Sequence, residues 1–141
     1  PDEINKSYQN KSFYPIHTFY SPFYSRDKLE ERSSCKIVGN DRALYFSRSV
    51  IPSSKGGNLP LDYFKRHIGI FIFTNEVFED YGDVLWSDYK NSYAQIESLE
   101  QNIFIENGFD VGLIETKHKW WGIDLPEHIK EIEEQYGKFV K

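Results

Sequence analysis

The 141-residue sequence contains no methionine, a single cysteine and no long apolar run. Each absence narrows what the chain can be. Cys35 alone cannot close an internal disulfide, so a core rather than covalent staples must hold the fold, as suits a reducing cytosol. No segment reaches the ~18 consecutive apolar residues that mark a membrane helix, and no signal-peptide pattern opens the sequence. A soluble, cytoplasmic protein with no membrane partner is expected. A basic excess is also missing: 17 Lys and Arg stand against 22 Asp and Glu, a net charge of −5. A dedicated nucleic-acid binder would carry a basic face, so no nucleic-acid partner is expected. A site for one nucleotide depends on local charge and stays open. Translation starts at Met whereas this chain starts at Pro1; either the start was trimmed or this is a piece of a longer protein, and the motifs favour the piece.

What is abundant is aromatic: 10 Tyr, 11 Phe and 3 Trp make up 17% of the chain. Rings bury large areas, which suits a core or a subunit interface; a stacking platform for bases is the other reading. The length suffices for one domain with a real core.

Residues 1–10 read as a polar helix. Residues 12–24, broken by Pro15 and Pro22, read as a short extended segment followed by a loop, and 26–34 as a surface loop or helical turn. Lys36-Ile-Val38, Gly39-Asn-Asp41 and Ala43–Ser49 form a strand–turn–strand pattern. Residues 52–60 read as a loop, and Arg66–Phe73, nearly all apolar, as a strand buried on both faces. A short helix is expected at Glu76–Tyr81. From Tyr93 to Asn107, Ile96, Leu99, Ile103 and Phe104 recur at helical spacing, with Gly108 in place to cap the end. Phe109–Thr116 alternates as a strand, and Pro126 opens a last helix. Strands alternating with helices indicate an α/β fold, with the hairpin as a small antiparallel sheet attached to it.

Four places carry polar groups beside apolar segments. In Ala43–Pro52, alternation puts Arg48 on the side of Leu44 and Phe46, where a guanidinium could grip a carboxylate or phosphate, or else snorkel to water. His67 opens the apolar strand, either as a hydrogen-bonded core residue or as a donor or acceptor to a polar ligand. Glu97, Glu100 and Gln101, at i, i+3 and i+4, would share one helical face, either a solvated surface or a binding one. Asp124, just before the Leu125-Pro126 helix start, is either an N-terminal cap or an oxygen ligand for a hard cation such as Mg²⁺.

As an ordered set these blocks resemble the C-terminal half of the 3-deoxy-manno-octulosonate cytidylyltransferases, the CMP-Kdo synthetases. Ala43–Pro52 repeats that family's A-L-Y-F-S-R-S-x-I-P strand, His67–Phe71 its H-I-G-I-Y, Glu97–Gly108 its E-S-L-E-Q-L-R-x-L-E-N-G helix, and Gly122–Ile129 its G-V-D-T-P-E-D-L. The resemblance runs from about Lys36 to Ile132 and is weak before it. It implies a nucleotide-diphospho-sugar transferase-like α/β fold, a mixed sheet with a small antiparallel dimerisation sheet at about 36–75 and an α/β portion at about 92–141. It implies transfer of CMP from CTP to an acidic eight-carbon sugar, with release of pyrophosphate, by a homodimer. By position, Asp124 would bind catalytic Mg²⁺, and Arg48, His67, Glu100 and Gln101 would face the sugar. Phe71 departs from the family's Tyr, Leu125 from its Thr and Asn102 from a core Leu, and Trp120-Trp121 stands where small or polar residues are usual. The family's CTP-gripping loop and first metal-binding Asp have no counterpart here, so these residues alone are expected to be inactive. The alternative is a non-catalytic dimerisation or interaction module derived from the same fold.

Overall fold

The structure, a computed structural model, describes residues 14–57, 59–77 and 92–117 and isolated positions 5, 79, 129, 130, 133, 134 and 137. In chain order the elements are β1 (Ile16–Pro22), α1 (Arg26–Glu30), β2 (Lys36–Gly39), β3 (Ala43–Ser47), a 3₁₀ turn at Leu61–Tyr63, β4 (Lys65–Phe73), α2 (Tyr93–Glu97), α3 (Asn102–Glu106) and β5 (Val111–Glu115). The five strands make one mixed sheet in the order β3-β2-β4-β1-β5. β1 runs antiparallel to β4 and parallel to β5. The expected β2–β3 hairpin is present and joins β4 through Lys36↔Arg66 and Ile37↔Lys65. The expected helices at 1–10 and after Pro126, and the end of the one at 76–81, fall outside the described residues, apart from isolated helical positions.

Three expectations need correction. The segment 12–24 holds more than a short extended stretch: β1 lies between β4 and β5, with Ile16, His17, Thr18 and Phe19 all buried. Pro15 and Pro22 sit at its ends, where a missing N–H does not interrupt the ladder. β4 is not buried on both faces. Its pleat sends His67, Phe71 and Phe73 toward Phe46 and Phe104, while Ile68, Ile70 and Ile72 join Phe19 and Ile114 in a cluster made of strand residues alone. Ile68 is the one β4 residue that is fully buried.

The third correction bears on the site. The apolar spacing from 93 to 107 predicts one helix, and the structure has two. Ser92 caps α2 by accepting the Gln95 N–H (3.1 Å), and the helix ends at Ser98, which takes left-handed angles of φ 52° and ψ 49°. The Leu99 N–H then turns back to Ala94 O at 2.9 Å. Leu99 and Ile103 remain in the core, so the periodicity runs on through a reversal it cannot register. α3 closes where expected: Gly108 has φ 80°, and the Phe109 N–H bonds Phe104 O at 2.9 Å. One close approach also requires a glycine. A Cβ on Gly112 would lie 2.6 Å from Tyr14 and 2.7 Å from His17, so β5 can pass there only bare.

Candidate functional site

A cavity of about 750 Å³ opens between the start of β4, the 33–35 segment, the end of β3 and the turn joining α2 to α3. Arg48, His67, Glu100 and Gln101, the four residues expected to face a sugar, all line it, together with Arg66 and Phe71. Residues separated by more than 50 positions in sequence therefore meet in one place.

The floor is neutral and starts at a bulge. β1 and β4 slip register between Thr18↔Phe71 and Phe19↔Ile68, and Thr18, fully buried, fills the irregularity. Its Oγ1 donates to Ile70 O at 2.9 Å, with Ile68 O at 3.3 Å, and lies 2.8 Å from His67 Nε2. A hydroxyl has one hydrogen; with it on a carbonyl, Oγ1 accepts from His67 Nε2–H, the tautomer that matches a donor at Nδ1. That leaves Nδ1 bare, and Gln101 Nε2, 3.4 Å away, donates to it. The second amide hydrogen of Gln101 points at Cys35 Sγ, 3.6 Å away. Both ring nitrogens of His67 are thus engaged by protein. Burial between Phe46 and Phe71 pushes its pKa down to about 4, so the ring is neutral near pH 7. The same burial drives the Cys35 thiol up to about 12, which makes it inert as a nucleophile.

The rim is charged. Lys36 is fully buried, and its Nζ donates to Glu31 O (2.7 Å), Ser34 O (2.7 Å) and Arg48 O (2.9 Å), one carbonyl for each ammonium hydrogen. Burial lowers its pKa, and the neighbouring Arg48 charge lowers it further. Arg48 donates from Nε to Glu97 O (2.9 Å), from Nη1 to Arg32 O (3.0 Å) and from Nη2 to Ser98 O (2.9 Å). Its guanidinium is largely committed to carbonyls, and it offers the cavity chiefly positive field. Glu97 accepts from Ser47 Oγ (2.6 Å), the Arg48 N–H (2.9 Å) and Tyr45 Oη (3.4 Å). Burial alone would raise its pKa, but the hydrogen bonds from Ser47, the Arg48 N–H and Tyr45, with the Arg48 charge, bring it below the usual value.

The shared helical face expected for Glu97, Glu100 and Gln101 does not exist, because the left-handed Ser98 separates them. Glu97 serves β3, Gln101 serves His67, and Glu100 lies exposed at the cavity mouth. Asp124 lies outside the described residues, and among these no group of three His, Cys, Asp or Glu side chains could hold a metal. Sequence reasoning overlooked Thr18 and Lys36. A lysine opening an otherwise apolar strand was the available signal for the second; nothing marked the first.

A family model described as Cytidylyltransferase matches residues 1–118. This chain belongs to that family. The match includes the segment ahead of Lys36, where the motifs are weak, and ends before Asp124. Among curated relatives, the 3-deoxy-manno-octulosonate cytidylyltransferase of Fusobacterium nucleatum is 36% identical over 111 residues, covering 77% of this chain and 42% of that protein. The enzyme of the same name from Chlorobium phaeobacteroides is 39% identical over 96 residues, covering 68% and 37%. The mitochondrial one of Arabidopsis thaliana is 31% identical over 103 residues, covering 72% and 34%. The chain thus spans under half the length of these three relatives. A solved structure described as CMP:2-keto-3-deoxy-manno-octonic acid synthetase in complex with CTP shares the fold. Its TM-score is 0.79 at 24% identity, covering 99% of this chain and 56% of that one. The mixed sheet flanked by helices is therefore that of a cytidylyltransferase. Among the described residues, no helix is long and apolar enough to cross a membrane.

Proposed function

We propose that this chain supplies the acid-sugar side of a cytidylyltransferase that moves CMP from CTP onto a 3-deoxy-manno-octulosonate-type sugar. In this reaction the sugar's anomeric hydroxyl forms a bond to the α-phosphorus of CTP, the α–β bridge breaks, and pyrophosphate leaves. The observation that carries the reading is the convergence of Arg48, His67, Glu100 and Gln101 on one cavity in a chain of this family. Its chemistry suits an anionic polyol. Arg48 and Arg66 supply positive field for a carboxylate, and Glu100 and Gln101 supply acceptors for hydroxyls. Holding the sugar in one pose is the main contribution such a site makes to rate.

Asp124 is the residue of this chain that would hold the Mg²⁺ such transfers use, an ion that neutralises charge on the triphosphate. The homodimer belongs to the same proposal: β3 is one of the two edge strands of the sheet, and Leu44 on it and Tyr93 and Ile96 on α2 are exposed apolar side chains.

The test is pyrophosphate release by the protein as the cell makes it, supplied with CTP, Mg²⁺ and a 3-deoxy-manno-octulosonate sugar. Release should require both substrates, and Gln101→Ala should raise KM for the sugar roughly tenfold, the effect of about one lost hydrogen bond. Absence of sugar-dependent release, or a KM indifferent to Gln101→Ala, refutes the assignment.

A further inference from the structure

We infer that Thr18, a residue behind the cavity, is a positioning residue that sets the hydrogen-bond polarity the site shows to its ligand. The inference rests on the sugar-binding reading only for the identity of that ligand. Two carbonyls that the β1–β4 bulge leaves within reach, Ile70 O and Ile68 O, can take the one hydrogen of the Thr18 hydroxyl, and the inference is that one of them does. Oγ1 can then only accept from His67, which fixes the proton on Nε2 and empties Nδ1. An empty Nδ1 demands a donor, and Gln101 turns its NH₂ toward it. With the other amide hydrogen on Cys35 Sγ, both Gln101 hydrogens face inward, and its Oε1 is the atom left to meet a ligand. The cavity therefore presents an acceptor at this point and selects a ligand hydroxyl or ammonium there, rather than a carbonyl or carboxylate oxygen.

The opposite tautomer would reverse every member of the line. Nδ1–H would face Gln101, the amide would flip to offer Oε1 to the ring, and its NH₂ would enter the cavity. Thr18 lies too deep to touch a ligand, so its influence can pass only through His67 and Gln101. A neighbouring aromatic pair, Phe46 and Phe71, brackets the ring at centroid distances of 5.0 and 5.2 Å and offers no competing polar partner.

Nitrogen NMR of the His67 ring in the intact protein reads the tautomer directly, without any turnover. The wild type should show Nε2–H with a bare Nδ1. Thr18→Val, which keeps shape and removes the hydroxyl, should move the ring toward Nδ1–H; Thr18→Ser should restore the wild-type pattern. In the transferase assay, Thr18→Val should raise KM for the acid sugar about tenfold while KM for CTP stays within twofold. A merely structural role would instead shift both KM values alike or neither. An Nδ1–H wild type overturns the inference, and this measurement stands even if the valine variant folds poorly. An unchanged tautomer in Thr18→Val overturns it too. Should the tautomers behave as expected while no acidic sugar supports turnover, the role of Thr18 is upheld and the substrate assignment alone fails.

Discussion

The two walls of the cavity are held by different means. Along the rim, Lys36 and Arg48 spend full charges on the main-chain carbonyls of residues 31, 32, 34, 48, 97 and 98, while Glu97 takes the Arg48 N–H and two hydroxyls. Along the floor, Thr18, His67 and Gln101 carry no charge and bond to one another and to Ile68 O, Ile70 O and Cys35 Sγ. The rim is built from irregular backbone whose carbonyls find no partner in a sheet or helix, and charged donors satisfy them most strongly. The floor starts at the β1–β4 bulge, where the Thr18 hydroxyl meets the carbonyls of Ile68 and Ile70 and neutral side chains set polarity. The charges of Lys36 and Glu97 maintain shape, and the neutral floor sets hydrogen-bond polarity.

The division is most severely tested by Lys36→Met. The methionine fits the volume but removes the ammonium donor from three carbonyls, of which Glu31 O keeps the Ser34 N–H. A loss of about 3 kcal/mol in unfolding free energy is expected, since each bond to a charged donor is worth roughly 1.5–3 kcal/mol and water at the rim restores part of it. Urea denaturation measures it, and a loss below about 1 kcal/mol would mean that water holds the rim as well as the ammonium does. The same change should leave the His67 tautomer untouched, because the floor does not depend on the rim's charges.

Acid separates the walls more gently. His67 is depressed from 6.5 to about 4, so its neutral form is favoured by folding. That stability is complete above pH 6.5 and is lost as pH falls from there through about 4. Glu97, also depressed, contributes above its ordinary 4.5 and loses that contribution only as pH falls through its lower folded value. The floor should therefore weaken before the rim. Gln101→Glu inverts the floor's behaviour: a carboxylate cannot donate to Nδ1, so the ring must take a second proton to keep its partner. NMR titration of His67 in that variant should give a pKa at least about one unit higher, equivalent to ~1.4 kcal/mol. A value still near 4 would show that burial, and not the partner at Nδ1, governs the ring.

How much of this was legible beforehand follows the same division. The hairpin is written in two apolar runs around Gly39-Asn-Asp41 and β5 in a short apolar run, buried at four consecutive positions in place of the expected alternation; Gly108 is a local cap, so these could be read from the chain. The break at Ser98 could not, because Leu99 and Ile103 keep their core positions across it. β1 was masked by its flanking prolines, although it is the strand that both β4 and β5 pair with. At the site, motif residues named Arg48, His67, Glu100 and Gln101, yet nothing local said that Arg48 is committed to carbonyls or that His67 is held at both nitrogens. Those facts depend on partners 16 to 50 residues away.

Asn102 offers the smallest and most local test. As a departure from an expected core Leu it looks like damage, since it is fully buried. The structure shows why it is tolerated: Oδ1 accepts the Phe46 N–H at 3.1 Å, and Nδ2 donates to Phe46 O at 2.9 Å. β3 is an edge strand, and the amide acts toward Phe46 as one residue of a further strand would. Asn102→Leu gains apolar burial of roughly 1.5–3 kcal/mol but leaves two backbone groups unpaired at about 1–3 kcal/mol each. A net loss of about 1 kcal/mol is expected, small because the two contributions oppose. Hydrogen exchange isolates the polar one: the Phe46 amide should exchange at least about tenfold faster in the variant. If it exchanges as in the wild type while stability rises, the edge does not need its side-chain partner, and the rim's carbonyl-satisfying logic does not extend to β3.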